Sequence, residues 1–257
     1  MSTFLFSEII FGPVASRRLG VSLGVNLLPT DYKFCTFNCV YCECGWTLKA
    51  DKKIKLPSRE EVKIELEKVL QEYSEKGKEI NSITFAGNGE PTIHPKFAEV
   101  IDDTIELRNL WMPEASISVL SNASQLNKEK VTSALNKIDK NILKLDAGTE
   151  KTYHLINQAQ KNLKFDKIVD YLKNFEGNLI IQTLFIKGEY NGQSFDNTTE
   201  EEVKAWLELI EEIQPQSVML YPIARDTPTE GLKKIEESTL NKIAKKVQDL
   251  GIVTEVY

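Results

Sequence analysis

Residues 141–146 read Asn141-Ile142-Leu143-Lys144-Leu145-Asp146. In a β-strand, alternate side chains share a face. Ile142, Lys144 and Asp146 therefore point one way, and Leu143 and Leu145 the other. Two charges on one face are costly to bury unless they are used. One side of this strand is predicted to meet an apolar layer, and the other a wet cavity.

The asymmetry recurs along the chain. Ser116, Ser118, Leu120 and Asn122 form a largely polar face backed by Ile117 and Val119. Gln182 stands between Ile180 and Leu184, and Met219 and Tyr221 alternate with Val218 and Leu220. A flat parallel sheet covered on both sides needs two apolar faces. A curved sheet around a functional lumen fits this pattern better. Strand-like runs at 24–28, 80–86, 116–121, 141–146, 178–186, 217–221 and 252–256 alternate with helical runs. The helices are expected at 58–74, 95–110, 127–138, 165–175, 199–213 and 238–250. In the first, Ser58 and Glu61 form a capping box, and Val62, Leu66, Val69, Leu70 and Tyr73 make one apolar stripe. Strict alternation predicts a parallel sheet with right-handed crossovers. The expected fold is α/β: a partial (β/α)6 TIM-like barrel with outer helices, one domain over residues 1–257. Residues 187–198 form the longest polar connection, readable as a lid or substrate loop or as a plain solvent loop.

The 257 residues are 41% hydrophobic and 27% charged, with a mean hydropathy of −0.29. That balance excludes collagen, long disorder and a membrane protein. The net charge of −6 argues against a strongly basic nucleic-acid surface. Ser16-Arg17-Arg18-Leu19 looks like a twin-arginine export signal. The apolar run after it is short, is broken by Ser22 and Asn26, and has no small-residue cleavage site. A cytoplasmic location without membrane contact is expected.

All four cysteines, Cys35, Cys39, Cys42 and Cys44, lie within ten residues. Disulfide frameworks spread their cysteines; ligand chemistry clusters them. Cys35, Cys39 and Cys42 are spaced C-x3-C-x2-C. Three thiolates on one tight loop can hold three irons of a [4Fe–4S] cluster, leaving the fourth iron open to a small ligand. Cys44 sits two residues further on, where reaching that fourth iron is sterically awkward. A structural zinc site is the competing reading, although zinc sites usually pair C-x2-C units.

The loop, with Tyr41 before the third cysteine, resembles the radical S-adenosylmethionine (SAM) superfamily signature. Phe11-Gly12-Pro13-Val14, Ser16 to Gly20 and Ser22 to Asn26 resemble its small single-cluster members. These are grouped with wyosine-base synthesis enzymes and, more distantly, with molybdenum cofactor biosynthesis enzyme A. Phe85-Ala86-Gly87-Asn88-Gly89-Glu90-Pro91-Thr92 resembles that group's second-strand motif.

The resemblance implies a [4Fe–4S] cluster on Cys35, Cys39 and Cys42, within a cluster-binding loop at 31–48. Residues 1–30 would form an N-terminal segment and first strand. SAM would be cleaved reductively, and the resulting 5′-deoxyadenosyl radical would abstract a hydrogen from substrate. Gly87, Asn88, Gly89 and Glu90 map onto the SAM amino-group segment, where chains without Cβ can approach a ligand closely. Ser121, Asn122, Lys144, Asp146 and Gln182 are candidates for cofactor or substrate contact at strand ends, with Lys144 and Asp146 as catalytic candidates. Tyr41 and Tyr221 would flank the adenine.

No further cysteines serve auxiliary clusters, so an external one-electron reductant of flavodoxin or ferredoxin type is expected. An open barrel side suits a macromolecular substrate, protein or RNA. A glycyl-radical-enzyme activase, a tRNA-modifying enzyme, a small-molecule mutase or synthase and a non-catalytic iron–sulfur or zinc protein remain open at this point.

Overall fold

Alternating strands and helices assemble around one curved sheet in the computed structural model, which describes residues 4–47 and 54–257. Residues 1–3 of the expected N-terminal segment and Leu48 at the end of the expected cluster loop lie outside the described residues. The elements in chain order are β1 (Ile10–Ser16), β2 (Gly20–Val25), α1 (Arg59–Glu75), β3 (Ser82–Phe85), α2 (Phe97–Trp111), β4 (Ser116–Ser121), α3 (Glu129–Leu135), β5 (Lys140–Lys144), α4 (Glu150–Asn157), α5 (Phe165–Lys173), β6 (Ile180–Leu184), β7 (Ile186–Tyr190), β8 (Gln193–Asp196), α6 (Glu200–Ile213), β9 (Ser217–Tyr221), β10 (Lys233–Lys234), α7 (Glu237–Gln248) and β11 (Val253–Val256). Among the described residues no helix is long and apolar enough to cross a membrane.

The main sheet runs β1-β2-β3-β4-β5-β6-β9-β11. All neighbours are parallel except β1, which pairs antiparallel with β2. The six expected βα units are present, as β2, β3, β4, β5, β6 and β9 with the helices that follow them. The register carries the predicted parity across the sheet. Ile142 sits opposite Ile180, Lys144 opposite Gln182, Gln182 opposite Met219 and Leu184 opposite Tyr221. These residues face the lumen. Leu143, Ile181, Val218 and Leu220 face the helices within one large apolar core. On the lumen side hydroxyls bond in a ladder, with Ser22 to Thr84 at 2.7 Å, Thr84 to Ser82 at 3.0 Å and Ser82 to Ser118 at 2.8 Å.

The capping box forms as read. Glu61 N–H donates to Ser58 Oγ at 3.2 Å, and Ser58 N–H to Glu61 Oε2 at 2.7 Å.

Five departures from expectation appear. The first parallel strand is Gly20–Val25 rather than 24–28, and Ile10–Ser16 adds an unforeseen edge strand whose Gly-Pro pair hid the pattern. The run 178–186 divides at Phe185 into β6 and β7. Residues 187–198 are a β-hairpin rather than a loop. Asn191 and Gly192 both take positive φ, 50° and 73°, the geometry that an Asn-Gly hairpin turn requires. Helix α4 was not anticipated; at 8 residues it is too short for a strong periodic signal.

Candidate active site

The carboxyl ends of the parallel strands supply the site, as expected for barrel architectures. The cysteine loop leaves β2 and is tied down along its length. Asn38 N–H donates to the Asn157 carbonyl at 3.1 Å and Val40 N–H to the Ile156 carbonyl at 2.9 Å, so the end of α4 holds the loop. Tight turns follow, with Cys42 N–H on the Cys39 carbonyl and Gly45 N–H on the Cys42 carbonyl.

Cys35, Cys39, Cys42 and Cys44 line one cavity of about 150 Å³ together with Gly87, Gly89, Glu90, Ser121, Asn122, Lys144 and Gln182. Asn122 Nδ2 donates to Cys35 Sγ at 3.4 Å. Cys44 shares the cavity, with its thiol donating to the Gly87 carbonyl at 3.5 Å.

Two cations stand behind the thiols. Lys33, which sequence reasoning passed over, is buried and donates to the Gly45 carbonyl at 2.9 Å. Burial opposes its charge, but Cys42, Cys35 and Cys39 raise its pKa overall. Nothing in the sequence marks this lysine as turned inward. Burial pushes the Cys35 thiol up to about 12 and raises Cys39 as well, against the pull of Lys144 and Lys33. Cys42 is lowered to about 6 by its hydrogen bond from Cys44, with burial opposing and Lys33 assisting. A soft sulfur set with buried cations beside it, able to offset the charge of ligating thiolates, fits an iron–sulfur cluster. Among the described residues, no three His, Cys, Asp or Glu side chains converge on one metal position. Ligands of a cluster each take a different iron and need not do so.

Gly87 and Gly89 have φ of +148° and +144°. A Cβ on Gly87 would lie 2.4 Å from Asn26 Oδ1, and one on Gly89 only 1.9 Å from the Phe34 carbonyl oxygen. The missing side chains make room for the protein's own chain, and the backbone of both residues lines the cavity. Asn88 does not line the cavity. Its Nδ2 donates to the Phe6 and Pro29 carbonyls at 2.9 and 2.8 Å, and its Oδ1 accepts Phe6 N–H at 2.9 Å. Glu90 is buried and its carboxylate accepts Ser121 Oγ at 2.8 Å, Asn122 N–H at 2.6 Å and Thr92 N–H at 3.1 Å. It braces the ends of β3 and β4. Burial raises its pKa, and these hydrogen bonds oppose the rise.

Lys144, Asp146 and Tyr41 meet as one group. Lys144 Nζ donates to Asp146 Oδ2 at 2.8 Å, the Tyr41 hydroxyl also bonds Asp146, and Lys144 contacts Tyr41. The Asp146 side chain is 0% exposed and that of Lys144 17%. Asp146 Oδ1 further accepts Leu184 N–H at 2.9 Å. Burial opposes the charge on Lys144, but Asp146, Cys39 and Tyr221 raise its pKa overall.

Sequence reasoning also missed Asn197. Its amide bonds the Asp146 and Leu184 carbonyls, each at 2.8 Å, and accepts Ile186 N–H at 2.7 Å. It pins the β7–β8 hairpin to the site.

A second cavity of about 530 Å³ adjoins the first. Tyr41, Cys42, Leu120 and Gln182 line both, while Tyr221 lines the larger alone. Arg18 lies over the Tyr221 ring at 4.9 Å.

Known proteins share this frame. The GTPase Obg of Brachyspira hyodysenteriae is 32% identical over 259 residues, a match that covers 98% of this chain and 35% of that protein. The chain thus spans about a third of that relative's length. A UPF0026 protein of Methanocaldococcus jannaschii is 30% identical over 241 residues, covering 91% of this chain and 70% of that protein. A radical SAM methyltransferase from Sphaerobacter thermophilus superposes with a TM-score of 0.66 at 13% identity, covering 92% of this chain and 65% of that chain. That likeness speaks to the fold alone, a partial barrel shared by radical SAM proteins. The family model described as the radical SAM superfamily matches residues 30–201. With the C-x3-C-x2-C loop inside that match and at the strand ends, this chain belongs to the radical SAM superfamily.

Proposed function

We propose that this protein is a radical SAM enzyme whose cluster ligands are Cys35, Cys39 and Cys42. The observation that carries this reading is the shared cavity, in which those three thiols face the Gly87–Glu90 segment and the ends of β4, β5 and β6. A [4Fe–4S] cluster held there by Cys35, Cys39 and Cys42 would supply the one electron that breaks the SAM sulfonium C–S bond, giving methionine and a 5′-deoxyadenosyl radical.

The chain's own residues prepare that site. Lys33 and Lys144 set positive charge behind the thiols, offsetting the negative charge that a thiolate-ligated cluster brings into a dry region. Asn122 Nδ2 donates to Cys35 Sγ, the kind of outer contact that orients a ligand. Lys144 holds its proton on Nζ between Tyr41 and Asp146. Tyr41, Lys144 and Asp146 therefore form a fixed wall toward substrate rather than a free acid or base. The backbone at Gly87 and Gly89 and the unpartnered Nε2 of Gln182 are the groups available to SAM, whereas the Asn122 amide is engaged by Cys35, Thr36 and Ser124. A one-electron carrier of flavodoxin or ferredoxin type serves as the reductant in this reading.

Anaerobic reconstitution tests the proposal. The expected product is a brown protein with about four irons per chain that releases 5′-deoxyadenosine from SAM under reduction. Cys35→Ala, Cys39→Ala and Cys42→Ala each abolish the cluster, whereas Cys44→Ala retains it. A colourless protein carrying stoichiometric zinc would sink the reading.

A further inference from the structure

The larger cavity lies between the β1–β2 hairpin and the segment after β9. Two buried donors in its wall have no hydrogen-bond partner: Arg18 Nη1 and Gln182 Nε2. Arg18 reaches in from the β1–β2 turn and stacks its guanidinium on Tyr221, which occupies its face and leaves Nη1 without a partner. Among the described residues no carboxylate pairs with it. The acids nearby are already engaged. Asp146 is held by Lys144, Glu43 by Arg225 at 2.8 Å, and Glu255 accepts the Tyr257 hydroxyl at 2.9 Å.

A buried donor without an acceptor is destabilising, and a charged one more so. Native structures keep such groups where something else supplies the acceptor. The planar fork of a guanidinium matches carboxylate and phosphate oxygens.

We propose that Arg18 anchors the substrate through an oxyanion, a carboxylate or phosphate carried by a small molecule that fills the lumen. This rests on the radical SAM reading of the neighbouring cavity. Gln182 lines both cavities, so a ligand anchored at Arg18 passes its second unpartnered donor on the way to the cysteines. The volume of about 530 Å³ is that of a small-molecule site, which favours such a ligand over a macromolecular chain.

The test is calorimetric titration of the anaerobically reconstituted full chain with inorganic phosphate and with acetate, with and without SAM. Either anion is expected to bind in the presence of SAM, the tighter one naming the source of the oxyanion. Arg18→Gln weakens it about tenfold, while Arg17→Gln, in the exposed neighbour, does not. A wild-type measurement stands beside the variant: phenylglyoxal labelling read by mass spectrometry, in which the bound anion protects Arg18 but not Arg17. Wild-type anion affinity in Arg18→Gln, or labelling of Arg18 that neither anion slows, overturns the proposal. Weakened SAM binding in Arg18→Gln would assign the residue to the cofactor and equally overturn it. An RNA oligonucleotide displacing phosphate more tightly than any small oxyanion would overturn the small-molecule assignment. Wild-type protein that binds phosphate at Arg18 yet never cleaves SAM would strike the enzyme reading instead.

Discussion

Leu143 and Lys144 are chain neighbours on β5 that live in different environments. Leu143 is sealed among helices with Ile181, Val218 and Leu220, all at 0% exposure. Lys144 stands in the lumen with the Tyr41 hydroxyl, the Asp146 carboxylate and, one strand over, Gln182. The helix-facing layer is mostly apolar, with Thr183 bonded to the Leu145 carbonyl at 2.8 Å, so its value is area and close packing. The lumen layer is built from hydroxyls, amides and charges that need partners. Its serines and threonines find each other; Arg18 and Gln182 do not. The difference teaches that one face of the sheet draws its stability from buried area, and the other from polar groups that must be paired.

Removing one member of the lumen's ion pair is expected to have the largest effect. Lys144→Met leaves Asp146 buried without its cation and costs about 3–5 kcal/mol of stability in urea unfolding. The double variant Lys144→Met with Asp146→Leu recovers much of that loss. A cost below about 1 kcal/mol for the single change would mean that the pair behaves as a surface pair, and would blur the contrast between the faces.

Next come matched deletions on the two faces. Leu143→Ala opens a cavity under the helices and costs about 3 kcal/mol. Ser82→Ala removes one hydroxyl from the lumen ladder and costs about 1 kcal/mol. Equal costs in chemical denaturation would break the comparison.

The smallest effect lies outside the lumen, at His94. Its Nε2 bonds the Pro57 carbonyl at 2.8 Å, and its Nδ1 accepts Lys96 N–H at 3.2 Å. The ring is therefore the neutral tautomer, and burial lowers its pKa. The unfolded chain, with histidine near about 6.5, then binds the proton first. Stability is present above that value and falls as pH drops from about 7 towards 5, by at most about 1.4 kcal/mol per pH unit. His94→Gln flattens the slope. A flat wild-type profile over that window would show that the ring protonates freely in the fold.

Much of the architecture was legible in the sequence because it is local. The capping box of α1 and the alternation on β5 and β6 are set by residues two to four apart. Their periods specify helix, strand and face without reference to the rest of the chain. Where local signals were weak, the reading slipped. Pro13 and the glycines masked β1, the Asn191-Gly192 turn was passed over inside a polar run, and α4 was too short to show its stripe. The site was legible in kind. The cysteine spacing and the Gly87–Glu90 segment both fall at the cavity. It was not legible in detail. Asn88 is chemically suited to a ligand, yet its amide is tied to Phe6 and Pro29, and Gly89 is needed for the Phe34 carbonyl.

By itself the sequence determined a parallel α/β partial barrel, one cysteine loop with C-x3-C-x2-C spacing, and a polar inner face. Tertiary structure alone decided which groups meet. Tyr41 reaches Asp146 from 105 positions away, and Thr36 Oγ1 pairs with Ser124 Oγ at 2.6 Å from 88 away. Lys33 turns inward behind the thiols, and Arg18 lies against Tyr221 with one donor unanswered. The physical reason is that periodicity states which face a side chain takes, whereas hydrogen bonding and desolvation are settled by the atoms that packing brings within about 3 Å.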